Sequence, residues 1–200
     1  MSDKGNLIVL SGPSGSGKGT VRQALGRYRN NLYYSVSATT RAPRPGEVHG
    51  TDYYFVSREE FEQMIEANEL LEWAEVYTYY YGTPRMPVED ALNQGLDVVL
   101  EIDVQGALQV KERFNEAVLI FLLPPTPEEL GARLKGRKTD APEEIQTRLE
   151  WAKREVKLLY RYNYLIINDN VEEAAKRINF IIEAEGCRPF CQCLNSNWLD

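Results

Sequence analysis

Apolar positions along this chain fall into short continuous runs, separated by segments of helical spacing. Leu7-Ile8-Val9-Leu10 sits in a predicted strand over 6–11. Asp97-Val98-Val99-Leu100-Glu101-Ile102-Asp103 is a second run that ends in acids, and Ala117–Leu123 and Tyr164-Leu165-Ile166-Ile167 are two more. Runs without alternation suit strands covered on both faces. Between them the period becomes helical: after Lys18 through Thr20–Leu25, from Asp103 to Arg113, and from about Val171. There Val171, Ala174, Ala175, Ile178 and Ile182 recur on one face. Thr126-Pro127-Glu128-Glu129 reads as a helix start, with Thr126 as N-cap, Pro127 first in the helix and Glu129 closing a capping box. Strand and helix alternate, which predicts an α/β fold with a mostly parallel sheet covered by helices.

Two stretches break the rhythm. Tyr33–Tyr81 is rich in aromatic and β-branched residues, carries turn chemistry at Ala42-Pro43-Arg44-Pro45-Gly46, and has a capping box at Ser57-Arg58-Glu59-Glu60. It reads as a small inserted α/β subdomain. Lys135-Gly136-Arg137-Lys138-Thr139-Asp140 is a polar connector before a helix restarting at Asp140-Ala141-Pro142-Glu143, and is a candidate lid. Gly186–Asp200 has poor periodicity and reads as a tail. No repeat or low-complexity segment is found.

Composition narrows the function classes. Two hundred residues with 43% hydrophobic content suit one α/β domain with small insertions. A net charge of −7 argues against duplex nucleic acid as a main partner. No apolar run approaches membrane-spanning length, and the N-terminus has no signal-peptide segment, so a cytosolic protein with no membrane partner is expected. The three cysteines, Cys187, Cys191 and Cys193, lie together in the tail. An odd number confined to one end is not a disulfide framework, and a closed thiolate metal site usually needs four ligands. The single histidine, His49, reads as an exposed loop residue.

The sharpest chemical signal is Gly12-Pro13-Ser14-Gly15-Ser16-Gly17-Lys18, set between the first strand and the first helix. Glycines let backbone N–H groups curl around phosphate oxygens, the helix directs its positive end at the same anion, and Lys18 adds a full charge. The alternative is a plain glycine-rich turn. Spacing, flanking strand and lysine together favour the phosphate loop. Gly19 stands where a Ser/Thr commonly follows the lysine, and the hydroxyl comes next, at Thr20.

Further segments make the reading more specific. Ser37-Ala38-Thr39-Thr40-Arg41-Ala42-Pro43-Arg44-Pro45-Gly46-Glu47 with Gly50-Thr51-Asp52-Tyr53-Tyr54-Phe55 resembles the nucleoside-monophosphate segment of guanylate kinases. So do Leu71-Glu72-Trp73-Ala74 with Tyr80-Tyr81-Gly82-Thr83, the stretch Glu101-Ile102-Asp103-Val104-Gln105-Gly106, and Arg137-Lys138-Thr139-Asp140 with Arg148. The resemblance runs from about residue 5 to 185. It implies a P-loop NTPase fold over 1–185, with a GMP-binding insertion at about 34–84, a lid at about 134–148, and a tail over 186–200. It also implies the reaction of purine nucleotide metabolism in which MgATP and GMP give ADP and GDP.

The resemblance assigns residues. Gly12 to Thr20, Arg133, Arg137 and Asn168 would face ATP. Ser37, Arg41, Arg44, Tyr53 and Tyr81 would hold the GMP phosphate, and paired guanidiniums do suit phosphate. A solvated basic loop with core tyrosines would explain the same residues if they stood alone. Glu72 would accept from both guanine donors, and Thr83 would serve its carbonyl; many family members have serine there. Glu69 and Glu75 are equally acidic, so the resemblance alone selects Glu72. Glu101 and Asp103, two apart on a strand, would face the same side. Asp103 fits a place near the guanine and the reaction centre. Glu101, where the family often has aspartate, would reach GMP or a Mg2+ held with Thr20, directly or through water. Lys18, Arg44, Asp103, Arg137 and Arg148 are the catalytic candidates, the cations stabilising the moving phosphoryl group, and Arg148 would also contact GMP. Lys138 replaces a lid glycine common in the family.

A guanylate-kinase-like interaction module is the rival from another class. Such modules lack a working ATP loop, whereas here the loop and Lys18 are intact. A kinase for another nucleotide is disfavoured by Glu72 with Thr83.

Overall fold

The computed structural model describes residues 4–76, 78–136 and 142–188. Arg137, Lys138, Cys191 and Cys193, named above, lie outside them.

In chain order the elements are β1 (Leu7–Ser11), α1 (Lys18–Leu25), β2 (Leu32–Tyr34), β3 (Ala38–Thr39), β4 (Tyr54–Phe55), α2 (Arg58–Glu66), β5 (Leu70–Val76) and β6 (Tyr79–Pro84). Then come α3 (Arg85–Asn93), β7 (Asp97–Glu101), α4 (Val104–Arg113), β8 (Val118–Leu123), α5 (Pro127–Gly136), α6 (Pro142–Val156), β9 (Tyr164–Ile167) and α7 (Val171–Glu185). Five strands form a sheet in the order β2-β7-β1-β8-β9, and every pairing in it is parallel.

Burial explains the continuous apolar runs. Along β1, Ile8 and Leu10 face the side covered by Val21, Ala24 and Leu25 of α1 and by Ala174, Ala175, Ile178 and Ile182 of α7. Leu7 and Val9 face the other side, under Val88, Ala91 and Leu92 of α3 and Ala107 and Val110 of α4. Each fully buried aliphatic side chain contributes about 1.5–3 kcal/mol. The central strand, apolar on both faces, is thus the best-anchored piece of backbone. The phosphate-loop sequence starts one residue beyond it.

A second, four-stranded sheet has the order β4-β3-β6-β5, mostly antiparallel, and packs on α2 through Phe61, Ala38 and Leu70. The Ser57–Glu60 capping box that starts α2 forms in full. The box expected at Thr126 forms by half. Glu129 N donates to Thr126 Oγ1 at 3.2 Å, but the Glu129 carboxylate pairs with Arg133 instead. Tyr33 and Tyr34, expected at the start of the inserted subdomain, instead form β2 of the first sheet beside β7, so the second sheet begins only at β3; α3, which the sequence reading did not name, covers the first sheet.

The two sheets meet where β5 packs on α4. Gln109 on α4 reads the β5 backbone like a neighbouring strand: its Nε2 donates to Trp73 O at 2.7 Å and its Oε1 accepts from Trp73 N at 3.3 Å. Arg113 donates to the carbonyls of Leu70 and Leu71 at 3.2 and 2.5 Å. Gln109→Ala should therefore leave a part-buried peptide unpaired and cost about 1–3 kcal/mol of stability. Urea unfolding of the variant beside the parent chain measures this, and an unchanged midpoint would remove Gln109 from the seam.

Candidate active site

Both sheets open onto one cleft of about 1030 Å³. It lies at the carboxyl end of the parallel strands, the usual place for a ligand on such a sheet. One wall is the loop between β1 and α1. Gly12, Gly15 and Gly17 have φ of 137°, 89° and 93°, which side-chain-bearing residues avoid. At Gly12 a Cβ would also sit 2.2 Å from Leu122 O, so only glycine allows the loop to leave β1 beside β8. Lys18 Nζ lies over this loop, donating to Gly12 O at 2.6 Å and Pro13 O at 3.2 Å.

Two residues expected at ATP hydrogen-bond the loop itself. Arg133 Nη1 reaches Ser16 O at 3.4 Å, its Nη2 donates to Asn168 O at 2.9 Å, and its Nε to Glu129 Oε1. Asn168, 1% exposed, donates through Nδ2 to Ser16 O at 2.9 Å. Neither is among the residues lining the cleft. Both hold the loop at the Ser16 carbonyl, which follows from β9 ending beside β8, next to the loop. Arg148, on α6, does enter the cleft, where its Nη1 donates to Ser14 Oγ at 2.8 Å.

The opposite wall is built by the second sheet. Ser37, Arg41, Arg44, Tyr53 and Tyr81 all line the cleft, with the rings of Tyr53 and Tyr81 edge to face at 6.1 Å. Beneath them is Glu72, 3% exposed. Antiparallel pairing of β5 and β6 sets Glu72 directly opposite Thr83, whose hydroxyl donates to Glu72 Oε1 at 2.6 Å. Thr83 is fully buried and absent from the cleft lining, so its hydroxyl orients the carboxylate. On the far side Gly106 of α4 makes room. A Cβ there would lie 2.3 Å from Glu72 Oε2.

Burial pushes the Glu72 carboxyl up to about 7. The negative charge of Asp103 adds to the shift, and the Thr83 hydrogen bond opposes it. Asp103 itself is not on the strand, as its spacing from Glu101 suggested. β7 stops at Glu101, and Asp103 caps α4, its Oδ1 accepting from Gly106 N at 2.8 Å. It still lines the cleft. Glu101 pairs with Arg22 Nε at 3.2 Å.

Glu155 was missed by sequence reasoning. It lines the cleft from α6, and burial pushes its carboxyl up to about 7, opposed by the charge of Lys18 and reinforced by that of Asp103. The signal was available: Glu144, Thr147, Arg148, Trp151 and Glu155 recur at three- and four-residue spacing, and all face the cleft.

For a divalent cation, the residues fit a loosely held Mg2+. Among the described residues no three acids, histidines or cysteines cluster into a metal site. Thr20 and Glu101 offer hard oxygen donors on the cleft wall. So few protein donors suit an ion that retains water and leans on substrate phosphates.

A P-loop fold of the nucleotide-kinase class is defined by these features. Shikimate kinase from Bacteroides thetaiotaomicron shares the fold, with a TM-score of 0.51 and 18% identity over 89% of this chain and 98% of that one. The guanylate kinase family model matches residues 4–185. The guanylate kinase of Halalkalibacterium halodurans is 55% identical over 93% of this chain and 91% of its own length, and that of Lactococcus lactis is 56% identical over 94% and 92%. The crystal structure of guanylate kinase from Anaplasma phagocytophilum superposes with a TM-score of 0.81 at 37% identity, covering 99% of this chain and 95% of that one. The chain belongs to the guanylate kinase family.

The raised Glu72 group has a cost to stability with a definite sign. From about pH 4.5 to 7 the unfolded chain releases a proton that the folded chain keeps. Stability is therefore lost as pH rises through that window. Glu72→Gln removes this term. The variant's stability relative to the parent should rise from pH 5 to pH 8, by up to roughly 3 kcal/mol. Urea unfolding at both pH values checks it; a pH-independent difference would contradict the assigned burial effect.

Proposed function

We propose that this chain transfers the γ-phosphoryl group of ATP to the phosphate of GMP, giving ADP and GDP, through the residues lining this cleft. The observation that carries the reading is the joining, in one cavity, of the Gly12–Lys18 loop with the buried Glu72 carboxylate and the Arg41–Tyr81 wall. ATP phosphates rest on the loop N–H groups and on Lys18. The GMP phosphate is taken by Arg41, Arg44, Ser37, Tyr53 and Tyr81. Guanine places its two adjacent N–H donors on Glu72, with Asp103 beside it. Thr83 acts on the base through Glu72.

GMP itself is the nucleophile, so no protein nucleophile is required. Positioning of the acceptor oxygen and stabilisation of charge carry the reaction. Lys18 and Arg148, with Arg137 from outside the described residues, would neutralise charge on the transferring group. Arg133 and Asn168 serve ATP by holding the loop. Mg2+ bound with ATP, held by Thr20 and Glu101 through water, would supply further charge neutralisation. The segment at about 134–148 would close over the substrates as a lid, and residues 34–84 would form the GMP-binding unit. Among the described residues no helix is long and apolar enough to cross a membrane. The proposed location is the cytoplasm.

Lys18→Ala should fold normally yet lower kcat by at least about 100-fold. ADP release under saturating MgATP and GMP measures it, and near-normal turnover would remove Lys18 from the phosphate site.

Base selection depends on Glu72 being ionised, because a protonated carboxyl offers guanine a donor where two acceptors are needed. Its group lies near 7, so GMP affinity should strengthen as pH rises from 6 to 8 and level off above. The GMP phosphate titrates near pH 6 as well. Glu72→Gln separates the two: it removes the Glu72 part of the pH dependence and leaves the phosphate part. The same variant should lower kcat/KM for GMP and erode the preference over AMP, which in the parent should approach roughly 10⁴-fold. An unchanged GMP/AMP ratio and an unchanged pH profile would shift base reading to Asp103 or another acid.

A further inference from the structure

Glu47 is a carboxylate set inside an anion-binding wall, where a negative charge should oppose a phosphate. Its geometry is that of a clamp. Arg41 Nη1 and Nη2 donate to its two oxygens at 3.0 and 2.9 Å, and Arg44 N donates to Oε2 at 2.7 Å. One carboxylate thus holds both the Arg41 side chain and the backbone of Arg44. The two side chains of the ion pair are only 11% and 19% exposed, so water screens it little. Arg41 Nη1 also donates to Ala42 O at 2.7 Å. Its guanidinium lies 5.4 Å from the Tyr53 ring centre and 5.8 Å from that of Phe55.

A guanidinium has five N–H bonds. Glu47 and Ala42 take three of them: both on Nη1 and one on Nη2. Nε–H and the second Nη2–H remain for other partners, and the Tyr81 hydroxyl lies within their reach. Two N–H bonds on one edge make the paired arrangement that grips a phosphate.

We propose that Glu47 is a positioning residue for phosphate recognition: it fixes Arg41 and Arg44 so that the outer edge of the Arg41 guanidinium meets the phosphate of the nucleoside monophosphate. This rests on the reading of the cleft as a GMP site. An unfixed arginine would lose side-chain freedom when substrate binds, whereas a clamped one has lost it on folding. The Arg41 hydrogen bonds hold the Glu47 carboxyl below its ordinary range, so the clamp stays ionised throughout the neutral range.

Glu47→Gln keeps the shape of the side chain and breaks the paired interaction. If the carboxylate only opposed the phosphate, this change would tighten GMP. If it positions Arg41, KM for GMP should rise about tenfold, with kcat changed less than about threefold and KM for ATP unchanged. Arg41→Ala and the double variant complete a cycle: in the Arg41→Ala background, Glu47→Gln should add little to KM for GMP. Glu47→Asp should fall between parent and Glu47→Gln, and it carries the same cycle if Glu47→Gln melts early. A tighter or unchanged KM for GMP, or effects that simply multiply in the double variant, would overturn the proposal. Failure of the parent chain to phosphorylate GMP would instead overturn the functional reading beneath it.

Discussion

The seam between α4 and β5 is the constraint on which this molecule depends. It is where a buried parallel sheet, whose strand ends carry the glycine-rich loop, is joined to a small, mostly antiparallel sheet with the Arg41–Tyr81 wall of the cleft. Gln109 and Arg113 fasten β5 through its backbone, so the attachment does not depend on the β5 side chains. The same helix begins with Asp103 as its cap and Gly106 in its first turn, and Gly106 is what Glu72 packs against. One helix therefore fixes the join, places one acid at the cleft and leaves the space for another.

That arrangement sets stability against recognition. A carboxylate with 3% exposure is held in a costly environment. Hydrogen bonds from the hydroxyl and the backbone of Thr83, with the more distant charge of Arg113, offset it in part. Two adjacent N–H donors on a ligand would complete the set, and the ionised form would become the favoured one. A site left one partner short discriminates strongly, because a ligand lacking those donors leaves the charge buried and unmatched. On the proposed reading, an amide at this position would relieve the folded protein and remove the discrimination together.

Local chemistry was legible in the sequence, and pairing between distant segments was not. The β1 run, the glycine loop and the Ser57 cap are each set by a few consecutive residues, and each appears in the structure as read. Glu72 was singled out among neighbouring acids only by family resemblance. Its partner Thr83 depends on the β5–β6 register, and its burial on Gly106, thirty-four positions further along the chain. Asp103 illustrates the limit of period-two reasoning: the strand ended one residue earlier than its apolar pattern, and the acid became a cap. Arg133 and Asn168 were assigned to ATP by the resemblance alone. Their hydrogen bonds to the loop carbonyl of Ser16 join segments more than a hundred residues apart, which no local pattern shows. Glu155 needed nothing beyond the helical period, carried seven residues onward from Arg148.

Four of the cations lining the cleft have polar partners in the structure. Arg41 is paired with Glu47, Arg22 with Glu101, Lys18 with loop carbonyls and Arg148 with the Ser14 hydroxyl. Polar partners hold each cation in one place, so rigid geometry and charge balance come from the same contacts. Arg41 has the strongest partner of these: a bidentate carboxylate is roughly twice as strong as a neutral acceptor. On the proposed reading Arg41 is the cation that meets the acceptor phosphate, which must be held still for attack, so the tightest pairing falls where a fixed position matters most.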